Sequence, residues 1–227
     1  MGAPILLVTA AGLAVLGLGL LVAWLTGRRL VAFATGGAAL AWAGLYGAAL
    51  LAASLGSRQE VLAPGAVKRF CGFYLDCHMG VAVERVRTMP RIGDLTTDGA
   101  FAIVTLRIES NALRATLRLL EPTMTLEDAL GTVRSRSRAA EEAWRAAGGA
   151  VLPLDRDLPA GGHYFADVIF EVPAAAVQSP RSPLLRVTEG YRIDRVIELF
   201  VIGDEDSFLH APTLLALPRP KLGPVSG

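Results

Sequence analysis

The chain has 227 residues, of which 52% are hydrophobic and 19% charged, and a formal net charge of +1. Its mean hydropathy of +0.45 is too high for an ordinary soluble domain of this size. Acids and bases are scattered through the C-terminal part, which argues against nucleic acid as a partner, since that would call for a clustered basic face.

The apolar excess is concentrated at the N-terminus. No charged residue occurs from Ile5 to Thr26, nor from Leu30 to Ser57. A hydrocarbon core takes about 20 apolar residues to cross. Lipid offers the backbone no hydrogen-bond partners, so both runs are expected to be helical. We expect spans at 5–26 and 30–55 in a hairpin over 1–56. A cleaved signal peptide is disfavoured: no basic residue precedes the first run, and the run is long and ends at Gly27, Arg28 and Arg29. Leu6 stands where N-myristoylation needs Ser or Thr.

The short link forces the two helices antiparallel. By the positive-inside bias, Arg28 and Arg29 are the cytoplasmic topology signal. Arg58, Lys68 and Arg69 pull weakly the other way. The expectation is an integral, multi-pass protein with its N-terminus outside and its C-terminal domain periplasmic or extracellular. Trp24 marks the inner interface, and Trp42 packs between the helices. Gly37 with Ala41, and Ala43 with Gly47, are four apart, a spacing that lets helix backbones approach closely.

Residues 57–66 read as a linker with a turn at Pro64 and Gly65. A domain over 67–217 follows, in which the apolar pattern changes to period two. In Phe101–Glu109, Ala102, Val104, Leu106 and Ile108 share a face, with Thr105, Arg107 and Glu109 opposite. In Tyr164–Val172, Tyr164, Ala166, Val168, Phe170 and Val172 share a face, with Asp167 and Glu171 opposite. Such alternation predicts strands with one buried face and one wetted face. Val81 with Val83, Leu117 with Leu119, Leu185 with Val187, and Ile197–Ile202 suggest further strands. The arginine-rich run 134–138 reads as a solvated loop or as a contact for anionic lipid headgroups. Ser137–Ala147 is rich in helix formers and stops at Gly148 and Gly149. The fold class expected is therefore a transmembrane helical hairpin followed by a mainly-β, antiparallel, immunoglobulin-like sandwich with a short helical insert. The Pro- and Gly-rich tail, 218–227, is expected to be disordered.

The segment from Asp98 to Asn111, with a Gly, a hydrophobic strand and a closing Asn, is similar to the opening of DUF4352 domains. Leu158–Gly162 and Ala166–Pro173 resemble the turn and following strand of that family. The likeness covers roughly 80–190. It implies a telokin-like, immunoglobulin-type extracytoplasmic sandwich, often tethered to a membrane, with no known enzymatic activity. The Cys-bearing segment, the helical insert and Gly203–His210 depart from the pattern.

Cys71 and Cys77 are the only cysteines. Outside the cytoplasm they are most simply a disulfide. A continuous strand would hold them roughly 20 Å apart, so the disulfide requires a turn between them. The rival is a copper-type site from Cys71, Cys77, His78 and Met79, with His210 as a further imidazole. Against it, neighbours on a strand point to opposite faces. Asp204, Glu205 and Asp206 form an acidic turn, which reads as backbone capping or as oxygen ligands for calcium. Catalytic motifs are absent: there is no Gly-x-Ser-x-Gly, Walker loop or His-Glu-x-x-His. The expected function is therefore a protein-binding or structural module of the cell envelope, not an enzyme. It would need no cofactor, and its partners would be the bilayer and an envelope protein. A metal-binding or redox-accessory domain is the alternative.

Overall fold

A computed structural model describes residues 2–70, 77–190 and 196–218. It begins with two long helices, α1 (Gly2–Leu25) and α2 (Arg29–Gly56). The chain reverses at Gly27, whose φ of 70° lies in the left-handed region that glycine adopts without strain. Contact between the helices is made at small residues. A side chain at Gly12 would meet Trp42, one at Gly19 would meet Thr35, and one at Gly36 would meet Leu20. Trp42 thus packs between the helices, as expected. Gly37 and Gly47, which the four-residue spacing singled out, face open space.

Both helices are long and apolar enough to cross a membrane. Large apolar side chains lie on the outside of both. Leu18, Trp24, Phe33 and Leu40 are 63–79% exposed.

The chain divides into two compact units. One holds residues 1–59 and 192–212, the other 60–191 and 213–227. Of the described residues, 196–212, expected inside the sandwich range, group with the helices.

The second unit is a mainly antiparallel β-sandwich. Its strands are β1 (Glu60–Leu62), β2 (Val67–Phe70), β3 (Met79–Ile92), β4 (Leu95–Ser110), β5 (Thr123–Glu127), β6 (Val133–Ser135), β7 (His163–Val172), β8 (Leu184–Thr188) and β9 (Thr213–Ala216). One sheet has the order β1-β9-β8-β5-β6, the other β2-β3-β4-β7. Every pairing is antiparallel except β1 with β9. β1 lies in what reads as a linker, and its partner β9 is the last strand of the chain.

The main core fills the space between the sheets. Val81, Val83, Leu106, Ile108, Val168 and Phe170 face Met124, Leu126, Leu185, Val187 and Leu215. Most of these are alternating residues of the sequence pattern; Met124, Leu126 and Leu215 are not among them. Lys68 is an exception: it is 3% exposed and donates from Nζ to the carbonyls of Val187 (2.7 Å) and Thr213 (3.3 Å), tying β2 to the opposite sheet. The turn from β5 to β6 is built around buried Asp128. Burial pushes its carboxyl up. Hydrogen bonds from the Thr132 amide, the Arg134 side chain and the Leu130 amide outweigh this and hold it below the usual carboxylate range.

A second core lies on the outer face of the four-stranded sheet. There α3 (Arg138–Ala146) places Ala140 and Trp144 on Ile92, Phe101, Ile103 and Ile169. Ser137 caps this helix, its Oγ accepting from the Ala140 amide. Arg136 grips Glu141 through two bonds of 2.8 Å. With Arg134 on Asp128, two arginines of the basic run are ion-paired within the fold. A short helix, α4 (Ala174–Val177), follows β7.

Two expected strands are corrected. Ile197–Ile202 contains a helical turn and bends, closed by bonds from the Phe200 amide to Ile197 O (2.9 Å) and from the Val201 amide to Glu198 O (2.9 Å). A short apolar run satisfies strand and helix patterns equally, and here it folds beside α2 instead of joining a sheet. Leu117 makes only an isolated bridge to Leu158, while Leu119 sits in the core without a ladder.

The family-like residues have structural tasks. A side chain at Gly99 would lie 2.0 Å from Val172 O, so only glycine lets β4 begin against the end of β7. Asn111 closes β4 by donating its amide to His78 O (3.0 Å). Gly161, with φ 70°, turns the chain into β7.

Candidate functional site

The outer face of the four-stranded sheet is made by β3, β4 and β7, and its chemistry changes along the strands. On β4, Phe101 and Ile103 lie under α3, whereas Thr105, Arg107 and Glu109 lie beyond it. On β7, Ile169 is covered while Asp167 and Phe165 lie further along. β3 carries a register shift between Val83 and Arg85. A bulge there re-aims the side chains at the uncovered half.

A cleft of about 680 Å³ opens on this half, lined by Glu84, Arg85, Arg87, Thr105, Phe165 and Asp167 among others. Its floor is Asp167, which is 3% exposed. The carboxylate accepts from Thr105 Oγ1 (2.6 Å) and from Trp144 Nε1 (2.8 Å). Arg87 approaches it at 3.7 Å and lies over the Trp144 ring, 5.0 Å from the centroid. Trp144 therefore has two roles: its ring seals the second core, and its N–H and face hold the charged pair. Gly149 makes room for it, because a side chain there would meet the indole at 2.1 Å.

Arg87 is thus fixed from two sides. Its Nε is buried and has no hydrogen-bond partner among the described residues. A buried unpaired donor is costly, and the rest of the guanidinium, over a third exposed, can donate to an oxygen in the cleft. Around the rim, Arg107 pairs with Glu84 (3.5 Å) and with Glu109, which also accepts from Arg69. Arg85 is exposed and enters none of these pairs. The cleft offers guanidinium donors beside an aromatic ring, Phe165, which is 41% exposed. It can hold a carboxylate or phosphate oxygen next to an apolar group.

The residues singled out by sequence are placed elsewhere. Cys71 lies outside the described residues. Cys77 lies two residues before β3, and β2 pairs antiparallel with β3, with Phe70 opposite Met79. His78 Nδ1 is 2.8 Å from Asn111 Oδ1. Met79 is 6% exposed and points into the main core. The two neighbours face opposite ways, as strand alternation requires. His210 belongs to the other unit, and its Nδ1 bonds to Ala211 O (2.9 Å). Asp204 caps its own turn by accepting from the Asp206 amide (2.9 Å), and burial raises its carboxyl pKa. Among the described residues, no three His, Cys, Asp or Glu side chains are grouped to hold a metal ion. Arg28 and Arg29 are exposed at the helical link.

Sequence reading missed Arg87, Trp144 and Asp167 as a group. The one signal was the split on β4, where an apolar pair on the wetted face is followed by polar residues.

No known protein-family model matches the chain, and no curated protein matches its sequence. Among solved structures, it is similar to a conserved hypothetical protein from Bacillus anthracis, with a TM-score of 0.42 and 14% identity over 56% of this chain and 92% of that one. It is also similar to an uncharacterized β-sandwich protein from Clostridium difficile 630, with a TM-score of 0.40 and 8% identity over 71% of this chain and 96% of that one. A third is the yjhA protein from Bacillus subtilis, with a TM-score of 0.39 and 13% identity over 69% and 98%.

Proposed function

We propose that this protein is a membrane-tethered binding module of the cell envelope, whose sandwich is held outside the cytoplasm and contacts its partner through the uncovered half of the four-stranded sheet. One observation carries the binding reading. A buried carboxylate, an arginine stacked on Trp144 and an exposed aromatic ring line one open cleft.

The tether rests on the two helices, whose apolar side chains have no protein to cover them. The outward orientation rests on Arg28 and Arg29 at the link. The immunoglobulin-like, DUF4352-type reading draws support from strand order. Variable-type immunoglobulin domains have a sheet containing strands G, F, C and C′ in sequence. The order β9-β8-β5-β6 follows that series, with β1 added beside β9. A disulfide between Cys71 and Cys77 belongs to the same reading, because the pairing of Phe70 with Met79 brings the two ends of the intervening segment together.

The test is site-specific photocrosslinking in intact cells. Probes replacing Arg85 and Phe165 should give one discrete protein adduct that disappears in an Arg87→Ala background. A probe replacing Leu113, which is 91% exposed elsewhere on the sandwich, should not give it. Equal adducts from all three positions would refute a dedicated binding face.

A further inference from the structure

The segment between β8 and β9 does not return directly. It leaves the sandwich unit and folds against the outer half of α2. Three hydrogen bonds fix it there. Tyr46 Oη donates to Phe200 O. Ser54 Oγ lies 3.4 Å from Ser207 Oγ. The Ala211 amide donates to Ser57 Oγ at 2.8 Å.

These contacts give the segment a depth. At 1.5 Å per residue, Tyr46 lies about 26 Å along α2 from Arg29, and Ser54 about 38 Å. A hydrocarbon core is about 30 Å thick. With Arg29 at the inner boundary, Phe200 lies just inside the outer boundary and Ser207 lies beyond it. The side chains follow the same order. Val196, Ile197, Leu199 and Phe200 are exposed, as are Phe208 and Leu209, which join them through the Phe208 amide on Leu199 O (3.0 Å). Glu198 is the least exposed of residues 196–200 and is engaged within the protein. The acidic residues Asp204, Glu205 and Asp206 immediately precede Ser207, on the aqueous side.

Backbone polar groups at the edge of hydrocarbon must be satisfied internally. The amides of Phe200 and Val201 bond to carbonyls three residues back, and Phe200 O takes the Tyr46 hydroxyl. Tyrosine is itself a residue of membrane interfaces.

We infer that residues 196–210 are an interfacial anchor: an apolar wedge that inserts into the outer leaflet beside α2, with its acidic turn among the headgroups. The inference rests on the membrane-spanning reading of α1 and α2. The wedge has no Lys or Arg, so apolar burial in the headgroup–acyl boundary drives its insertion, and anionic lipid is not required.

The experiment uses the full-length chain in phosphatidylcholine bilayers with lipids brominated high in the acyl chain. Phe200→Trp and, separately, Phe208→Trp add one fluorophore to the native Trp24, Trp42 and Trp144. The expected result is that the added emission, taken as the difference from the parent, is blue-shifted and lost in brominated bilayers. Retention of that emission while the native helix tryptophans are quenched would overturn the wedge and leave the hairpin standing. A blue shift without quenching would also overturn it, by showing that protein covers the segment. If the native tryptophans themselves escape quenching, the membrane-spanning reading fails first.

Discussion

Two halves of one sheet face differ, although the same three strands build both. Under α3, the outer face of β3, β4 and β7 is as apolar as the sandwich interior, and Ile103 and Ile169 are completely buried. A few residues along, the same strands carry Arg87, Thr105 and Asp167 and open into a cleft. The covered half shows what this sheet needs for stability. The open half shows what it retains beyond that need. The open half, polar and partly charged, is the face to which we assign the proposed binding role.

Substitutions should separate the two halves, and the largest effects should fall under the helix. Ile169→Ala removes a fully buried side chain and should cost about 2–5 kcal/mol, read as a drop in the melting temperature of the detergent-solubilised chain. If it melts like the parent, α3 does not form a true second core. Gly149→Ala forces Trp144 from its seat and should cost about 1–3 kcal/mol. It should also change the near-ultraviolet circular dichroism, because the indole loses Asp167.

In the open half, stability should barely respond. Arg87 is over a third exposed and its ion pair is long, so Arg87→Ala should cost about 1 kcal/mol or less while abolishing the crosslinked adduct. A large loss of stability would make the arginine structural instead. Arg85→Ala should be smaller still, within about 0.5 kcal/mol, and should weaken the adduct without shifting the melt.

Much of this contrast was legible from residues alone. The period-two pattern of Ala102, Val104, Leu106 and Ile108 placed β4, and that of Tyr164 to Val172 placed β7. The composition after Ser137 placed α3. That α3 covers Phe101 and Ile103 on the outer face was not read from the sequence. The cleft was not legible, because Arg87 and Asp167 come together through strand register, and Trp144 reaches them from a helix 23 residues before Asp167. Local periodicity carries no information about such contacts. The same limit explains Ile197–Ile202: its apolar run matches a strand, and only the contacts with Tyr46 and Ser54, more than 150 residues away, make it part of the helical unit. The parallel pairing of β1 with β9 joins the two ends of the sandwich and is equally invisible to local pattern.

The most direct test of the account is protease accessibility of the full-length chain in intact cells stripped of any outer barrier, with membrane association checked by alkaline extraction. The account predicts that the chain stays in the membrane pellet, that protease added outside digests the sandwich, and that a helical fragment containing Arg28 and Arg29 is protected. A sandwich digested only after the membrane is broken would contradict it, placing the cleft in the cytoplasm and reversing the hairpin.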